Sequence, residues 1–260
     1  MTEELVLFQQ EDGIATITIN RPKQMNALNP EVLNQLEQAL DRAEKDKDAK
    51  VILITGAGEK AFVAGADIAE MSKMTPLEAK EFSKLGQKVF RKIEQIKKPV
   101  IAVVNGYALG GGLELAISCD YILASENAQL GQPEVGLGIF PGFGGTQRLV
   151  RVLGKLRAKE LVFFGERITA QKAYEMGLVN EIVPQDKLME RAKELAKKLM
   201  EKGLVAIGLV KTAIERGADL DLDSALLIEQ TLFGLCFDTH DQKEGMSAFL
   251  EKRKPQFKGE

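Results

Sequence analysis

Large apolar residues along the chain recur with two different periods, and the alternation between them predicts an architecture. Residues 4 to 9 and 14 to 19 flank Glu11-Asp12-Gly13, and the second run, Ile14-Ala15-Thr16-Ile17-Thr18-Ile19, alternates large apolar with small or polar residues, so an antiparallel hairpin is expected. Asn29-Pro30-Glu31 then opens a helix in which Leu33, Leu36 and Leu40 fall at helical spacing, and Val51 to Thr55 reads as a short buried strand. The rhythm returns with a helix around Leu77 to Ile96, a strand Val100 to Val104, a glycine turn, a helix from about Gly112 and a strand Tyr121 to Ala124. Such alternation predicts an α/β fold on a parallel sheet with right-handed crossovers. Beyond Gly142 the pattern turns mostly helical. Leu188, Ala192, Leu195 and Leu199 mark one apolar stripe, and Leu226 to Phe237 is apolar on nearly every side. A helix of that kind is either buried in its own domain or pressed against another subunit, and an oligomer is the favoured reading.

Composition changes this picture little. The 260 residues are 45% apolar and 28% charged, ordinary globular usage without low-complexity stretches or repeats, which predicts one domain. A formal net charge of -3 supplies no general attraction for nucleic acid. The start, MTEELVLFQQEDG, lacks a basic region and an apolar core, and no later segment offers about 18 uninterrupted apolar residues. A soluble, cytoplasmic protein with no nucleic-acid or membrane partner is expected. Cys119 and Cys236 are too few and too far apart for a disulfide framework or a zinc cluster, and both are expected as buried thiols. His240 is the only histidine, so a histidine base would have to sit there beside Asp238 and Asp241. A surface position at a helix start is the expectation instead.

The informative chemistry lies in three loops rich in small residues: Phe62 to Ile68, Asn105 to Glu114, and Gly131-Gln132-Pro133-Glu134 running on to Pro141-Gly142-Phe143-Gly144-Gly145. The second follows a strand and opens a helix, so amides around Gly111 should be unpaired donors at the positive end of the helix dipole, suited to a developing oxyanion. Taken alone, Gly110 to Gly112 would more simply permit tight helix packing. Gly106-Tyr107-Ala108-Leu109-Gly110-Gly111 also imitates the dinucleotide-binding G-x-G-x-x-G, with Glu126 after a further strand. Ala108, however, stands where a glycine would let the backbone approach a pyrophosphate. Gly56-Ala57-Gly58-Glu59-Lys60 lacks the spacing of a P-loop. A glutamate at a helix start, such as Glu114, ordinarily complements the dipole and is held ionised by it.

Nearly the whole chain resembles the crotonase, or enoyl-CoA hydratase, superfamily. The resemblance rests on Asn26-Ala27-Leu28, Ala64-Gly65-Ala66-Asp67-Ile68, Asn105-Gly106-Tyr107-Ala108 with Gly110-Gly111-Gly112, Gly131-Gln132-Pro133-Glu134, Gly144-Gly145-Thr146-Gln147-Arg148-Leu149 and Glu244-Gly245-Met246-Ser247-Ala248-Phe249. It implies a spiral of strand-strand-helix turns over residues 1–200 and a C-terminal helical region, 201–260, that builds a homotrimer or a hexamer of paired trimers. It implies reversible syn addition of water to a trans-2-enoyl-CoA, with Glu114 and Glu134 as acid and base and Ala66 and Gly111 N–H as the oxyanion hole. Removing one such donor typically costs ~2.7 to 4 kcal/mol of barrier. By the same resemblance Ala27, Ala64, Asp67 and Ile68 line the coenzyme path, Gly142 N–H meets the attacking water, and Phe249 and Lys252 reach a neighbouring subunit's ligand. Ala69 departs from the lysine many relatives carry there, so a phosphate contact is either absent or supplied by Lys23 or Lys60. Coenzyme A would enter as part of the substrate, with no bound cofactor. The rivals are a Δ3,Δ2-enoyl-CoA isomerase, which keeps the oxyanion hole with one carboxylate, and a catalytically silent acyl-CoA or RNA-binding scaffold.

Overall fold

In the computed structural model, which describes residues 4–260, the expected hairpin forms from β1 (Val6–Glu11) and β2 (Ile14–Ile19). Asn29 caps α1 (Pro30–Lys45) by accepting from Val32 N–H, with Pro30 at the first helical position, where its missing N–H costs nothing. The chain then repeats one passage three times. Each starts in a long strand, crosses to a short strand of a second sheet, and leaves through a helix. The first passage is β3 (Val51–Gly56), β4 (Ala61–Val63), the one-turn α2 (Ile68–Met71) and α3 (Pro76–Gln95). The second is β5 (Val100–Val104), β6 (Tyr107–Leu109) and α4 (Gly111–Ala116), and the third is β7 (Tyr121–Ser125), β8 (Gln129–Gly131) and α5 (Gly145–Phe164).

Because each passage is offset by one strand spacing, β3, β5 and β7 become parallel neighbours in a six-stranded sheet of order β1-β2-β3-β5-β7 and, at its edge, β10 (Glu181–Val183). Likewise β4, β6 and β8 become parallel neighbours in a four-stranded sheet closed by β9 (Ile168–Thr169). This is the α/β spiral that the resemblance implied.

Period-two alternation decides which face each strand residue serves. Ile52 and Ile54 of β3 join the main core with α1 and α3, while Val51 and Leu53 join a second core under the predicted stripe Leu188, Ala192, Leu195 and Leu199. Beyond Gly142 the chain is mostly helical, as expected, with two short strands that the pattern did not show. β9 (Ile168–Thr169) and β10 (Glu181–Val183) flank α6 (Ala170–Glu175), and each adds an edge to a sheet. Strands of two or three residues are shorter than the window in which alternation can be recognised.

The stripe itself lies on α7 (Leu188–Met200), followed by α8 (Leu204–Gly217), α9 (Leu222–Cys236) and α10 (His240–Leu250). His240 opens α10 with its side chain 44% exposed, as expected. Cys119 and Cys236 are free thiols, but half-buried where burial was expected, and each bonds to the carbonyl four residues back, Cys119 from just beyond the end of α4 and Cys236 from the last residue of α9. No described helix is long and apolar enough to cross a membrane.

Candidate active site

The three sequence-distant loops meet because each follows a strand of the second sheet: Ala64 to Asp67 leave β4, Gly110 and Gly111 leave β6, and Gln132 to Glu134 leave β8. Adjacent parallel strands deliver their C-terminal ends to one edge, where ligands bind in open α/β sheets. A cavity of about 1360 Å³ opens at that edge, and Ala66, Gly111, Glu114, Glu134 and Gly142 line it together with Ala64 and Ile68.

Two main-chain donors are left free there. Leu28 bridges the strand end at Ala66, donating to Gly65 O at 2.9 Å and accepting from Asp67 N–H at 2.7 Å. In a parallel bridge the alternate residue faces the other way, so Ala66 N–H points off the ladder. Gly111 is the first residue of α4, and its amide belongs to the unpaired first turn. Among the described residues neither N–H has an intramolecular acceptor.

The glycine triplet divides its labour. Gly110, at φ 52°, takes a conformation that side chains rarely adopt, and a Cβ there would come within 2.9 Å of Glu134 Oε1. Gly112 bears out the tight-packing reading, since its Cβ would fall 1.9 Å from Val63 O. The dinucleotide reading fails on geometry, because the segment forms the separate strand β6 between Gly106 and Gly110 instead of turning directly from strand to helix.

Glu114 is 1% exposed, and its Oε1 accepts from Phe143 N–H at 2.8 Å and Gly145 N–H at 2.6 Å. Burial pushes its carboxyl up to about 7, against the pull of those amides and of Arg148. This corrects the expectation that the α4 N-terminus keeps Glu114 ionised: loss of water outweighs a dipole at the start of a six-residue helix. Glu134 lies in a 3-10 turn, Pro133–Leu137, half-buried, and burial pushes it up to about 7 as well, with the negative charge of Glu114 adding to the rise. Two carboxyls that feel one another across one cavity cannot both ionise freely.

Sequence reasoning quoted Gln132 without giving it a role. Its side chain is fully buried, and with its amide turned to donate it lies 2.9 and 3.1 Å from the two Glu134 oxygens. Position two residues before Glu134 in the same motif was the available signal. Arg148, also passed over, donates to Phe143 O at 2.8 Å and pairs with Glu94.

Of the residues expected along the coenzyme path, Ala64 and Ile68 line the cavity, whereas Ala27 and Asp67 stand beside it. Arg21 ties these two together, donating to Ala27 O at 2.7 Å and to the Asp67 carboxylate at 3.0 Å. That carboxylate also caps α2, so its oxygens already serve intramolecular donors. Phe249 is 84% exposed and Lys252 follows the end of α10, both away from this chain's own cavity.

The fold class is shared with solved enoyl-CoA hydratases. The crystal structure from Bacillus anthracis superposes with a TM-score of 0.94 at 41% identity, covering 98% of this chain and 100% of that one. A short-chain enoyl-CoA hydratase of Clostridium acetobutylicum is 52% identical over 96% of this chain and 95% of its own length. A crotonyl-CoA hydratase of Syntrophomonas wolfei is 51% identical over 99% of both. The enoyl-CoA hydratase/isomerase family model matches residues 9–260, and the chain belongs to that family.

Proposed function

We propose that the enoyl-CoA hydratase activity of this chain is carried by Glu114 and Glu134 acting on an acyl thioester whose oxygen sits between Ala66 N–H and Gly111 N–H. Water addition to a trans-2-enoyl thioester builds negative charge on that oxygen. Fixed main-chain donors stabilise it where it develops without reorganising. Glu114, gripped by two amides, is oriented to act as the ionised base that takes a proton from water as the oxygen bonds to the β-carbon. Glu134, whose proton is favoured by burial and by its charged neighbour, delivers a proton to the α-carbon on the same face. Dehydration of the 3-hydroxyacyl thioester runs the same steps backwards.

The single observation that supports this most is the pair of carboxyls, both pushed up to about 7, in a cavity that also presents two unpaired N–H groups. Groups poised near neutrality exchange protons at little cost in either direction. Gly142 N–H is assigned to the attacking water, and Ala27, Ala64, Asp67 and Ile68 to the coenzyme path, Asp67 through its main chain. The coenzyme A thioester is substrate, no tightly held cofactor enters the steps, and the enzyme works in the cytoplasm. The same proposal includes a homotrimer or paired trimers, with Phe249 and Lys252 reaching the neighbour's ligand. It is supported by α9, none of whose residues is buried although Leu227 and Phe233 are large and apolar.

Glu114→Gln and Glu134→Gln should each slow crotonyl-CoA hydration by ~10² to 10⁴-fold while leaving the fold intact. Near-normal hydration by either variant removes the role assigned to that residue. Faster turnover of a 3-enoyl-CoA than of crotonyl-CoA by the unaltered enzyme would favour isomerisation instead.

A further inference from the structure

One peptide group joins the wall of the cavity to the catalytic base. The carbonyl of Gly142 accepts from Ser83 Oγ at 2.6 Å and from Gln87 Nε2 at 2.9 Å, and Gln87 Nε2 also donates to Ser83 Oγ at 3.2 Å. The N–H of the same peptide unit belongs to Phe143 and donates to Glu114 Oε1 at 2.8 Å. Ser83 and Gln87 stand one turn apart on α3, so their side chains share a face, and both line the cavity.

The rest of Phe143 is already committed. Its ring is buried edge-on against Phe82 and Phe90 at 5.0 and 5.7 Å and lies where a side chain on Gly86 would have to go, and its carbonyl accepts from Arg148. The Gly142–Phe143 peptide plane itself is held by the two α3 donors on its carbonyl and by Glu114 on its N–H.

We propose that Ser83 and Gln87 are positioning residues for the reaction: by holding and polarising the Gly142–Phe143 peptide they aim its N–H at Glu114 and fix the geometry of that carboxylate. This rests on the assignment of Glu114 as base. Donors on a carbonyl draw electron density from its amide nitrogen and strengthen the N–H as a donor, the cooperativity of linked hydrogen bonds. A stronger, better-aimed N–H favours the ionised carboxylate. The other groups facing Glu114 are the amides of Gly144 and Gly145, Arg148 of α5 and the carboxyl of Glu134. On the α3 side the charged side chains lining the cavity are Lys80, Arg91 and Glu94, of which Arg91 and Glu94 are spent on one another and on Glu215 and Arg148. Ser83 and Gln87 therefore act on Glu114 through the peptide and add no charge of their own.

The test is the pH profile of crotonyl-CoA hydration by Ser83→Ala, Gln87→Met and the double variant, with Ser83→Thr as the variant that keeps the hydroxyl. The double variant should lose about tenfold in kcat with KM changed less than about twofold, the size expected for hydrogen bonds that orient a reacting group. The acid limb of its kcat profile should move to higher pH, because Glu114 loses support for its charge. Ser83→Thr should restore most of the loss from Ser83→Ala. A folded double variant with unchanged kcat and an unmoved acid limb overturns the proposal, as does a loss confined to KM. The single variants are judged separately, so a folding defect in the double leaves the result readable. Failure of the underlying assignment shows differently, as normal turnover in Glu114→Gln.

Discussion

Glu114 is the residue at which local and tertiary forces disagree most. A glutamate in the first turn of a helix is normally stabilised as an anion, yet here burial raises its carboxyl from an ordinary 4.5 to about 7. The consequence for stability has a definite sign. Its folded-state value lies above its unfolded value, so its contribution is fully present below about pH 4.5 and is lost as pH rises through 7. Above that, folding must bury a charge. Glu114→Gln keeps a side-chain acceptor for the two amides but removes the charge. Its thermal midpoint should therefore gain on the unaltered protein between pH 5 and pH 9, corresponding to roughly 3 kcal/mol at the alkaline end. A gap between the two midpoints that stays constant with pH would show that the carboxyl is not strained by burial. Gln132 carries the complementary lesson. Its neighbours in sequence were recognised, but its bond to Glu134 depends on a side-chain direction that no spacing rule encodes.

Among the elements, α3 was expected as a helix and α8 was not singled out, and the particular partners of neither were legible. Lys211 of α8 is an example. It is buried, with its side chain 7% exposed, and donates to Ile93 O and to the Asp120 carboxylate at 2.8 Å each. Asp120 in turn accepts from Val100 N–H at the start of β5. The pair fastens α8 to the core, and Ile214 and Glu215, one turn further along α8, line the cavity. Lys211→Ala should destabilise the protein by about 3 kcal/mol, since removing one partner strands the other's charge. Urea unfolding monitored by circular dichroism measures this, and a loss below about 1 kcal/mol would mean that Asp120 finds water instead. The short strands β4, β6, β8 and β9 teach the same point from the other side. Each has two or three residues, and they exist as strands because their neighbours do, through ladder hydrogen bonds that local propensity does not predict.

For the whole molecule, the surface of α8 and α9 carries large apolar side chains left uncovered among the described residues. Ile214, Leu222, Leu227 and Phe233 are each more than 60% exposed, and together they make an apolar face of a kind that single soluble chains seldom leave open. Leu227→Glu combined with Phe233→Glu should convert the proposed trimer or hexamer to smaller species in light scattering. The cavity at the edge of the second sheet, which Leu227 and Phe233 do not line, should remain formed. Retention of the same mass by the double variant would remove α9 from the interface.

The hairpin, the strand-helix alternation, the α7 stripe and the three small-residue loops were legible in the order of residues, because periodicity and turn chemistry are local properties read over a few residues. The same order also placed the two glutamates and the two amide donors by their resemblance to a known family. That β4, β6 and β8 lie side by side and bring those loops to one edge follows from the packing of the folded chain alone. Burial in that edge is what lifts both carboxyls toward neutrality, and water exclusion is a property of the assembled fold that no single segment possesses.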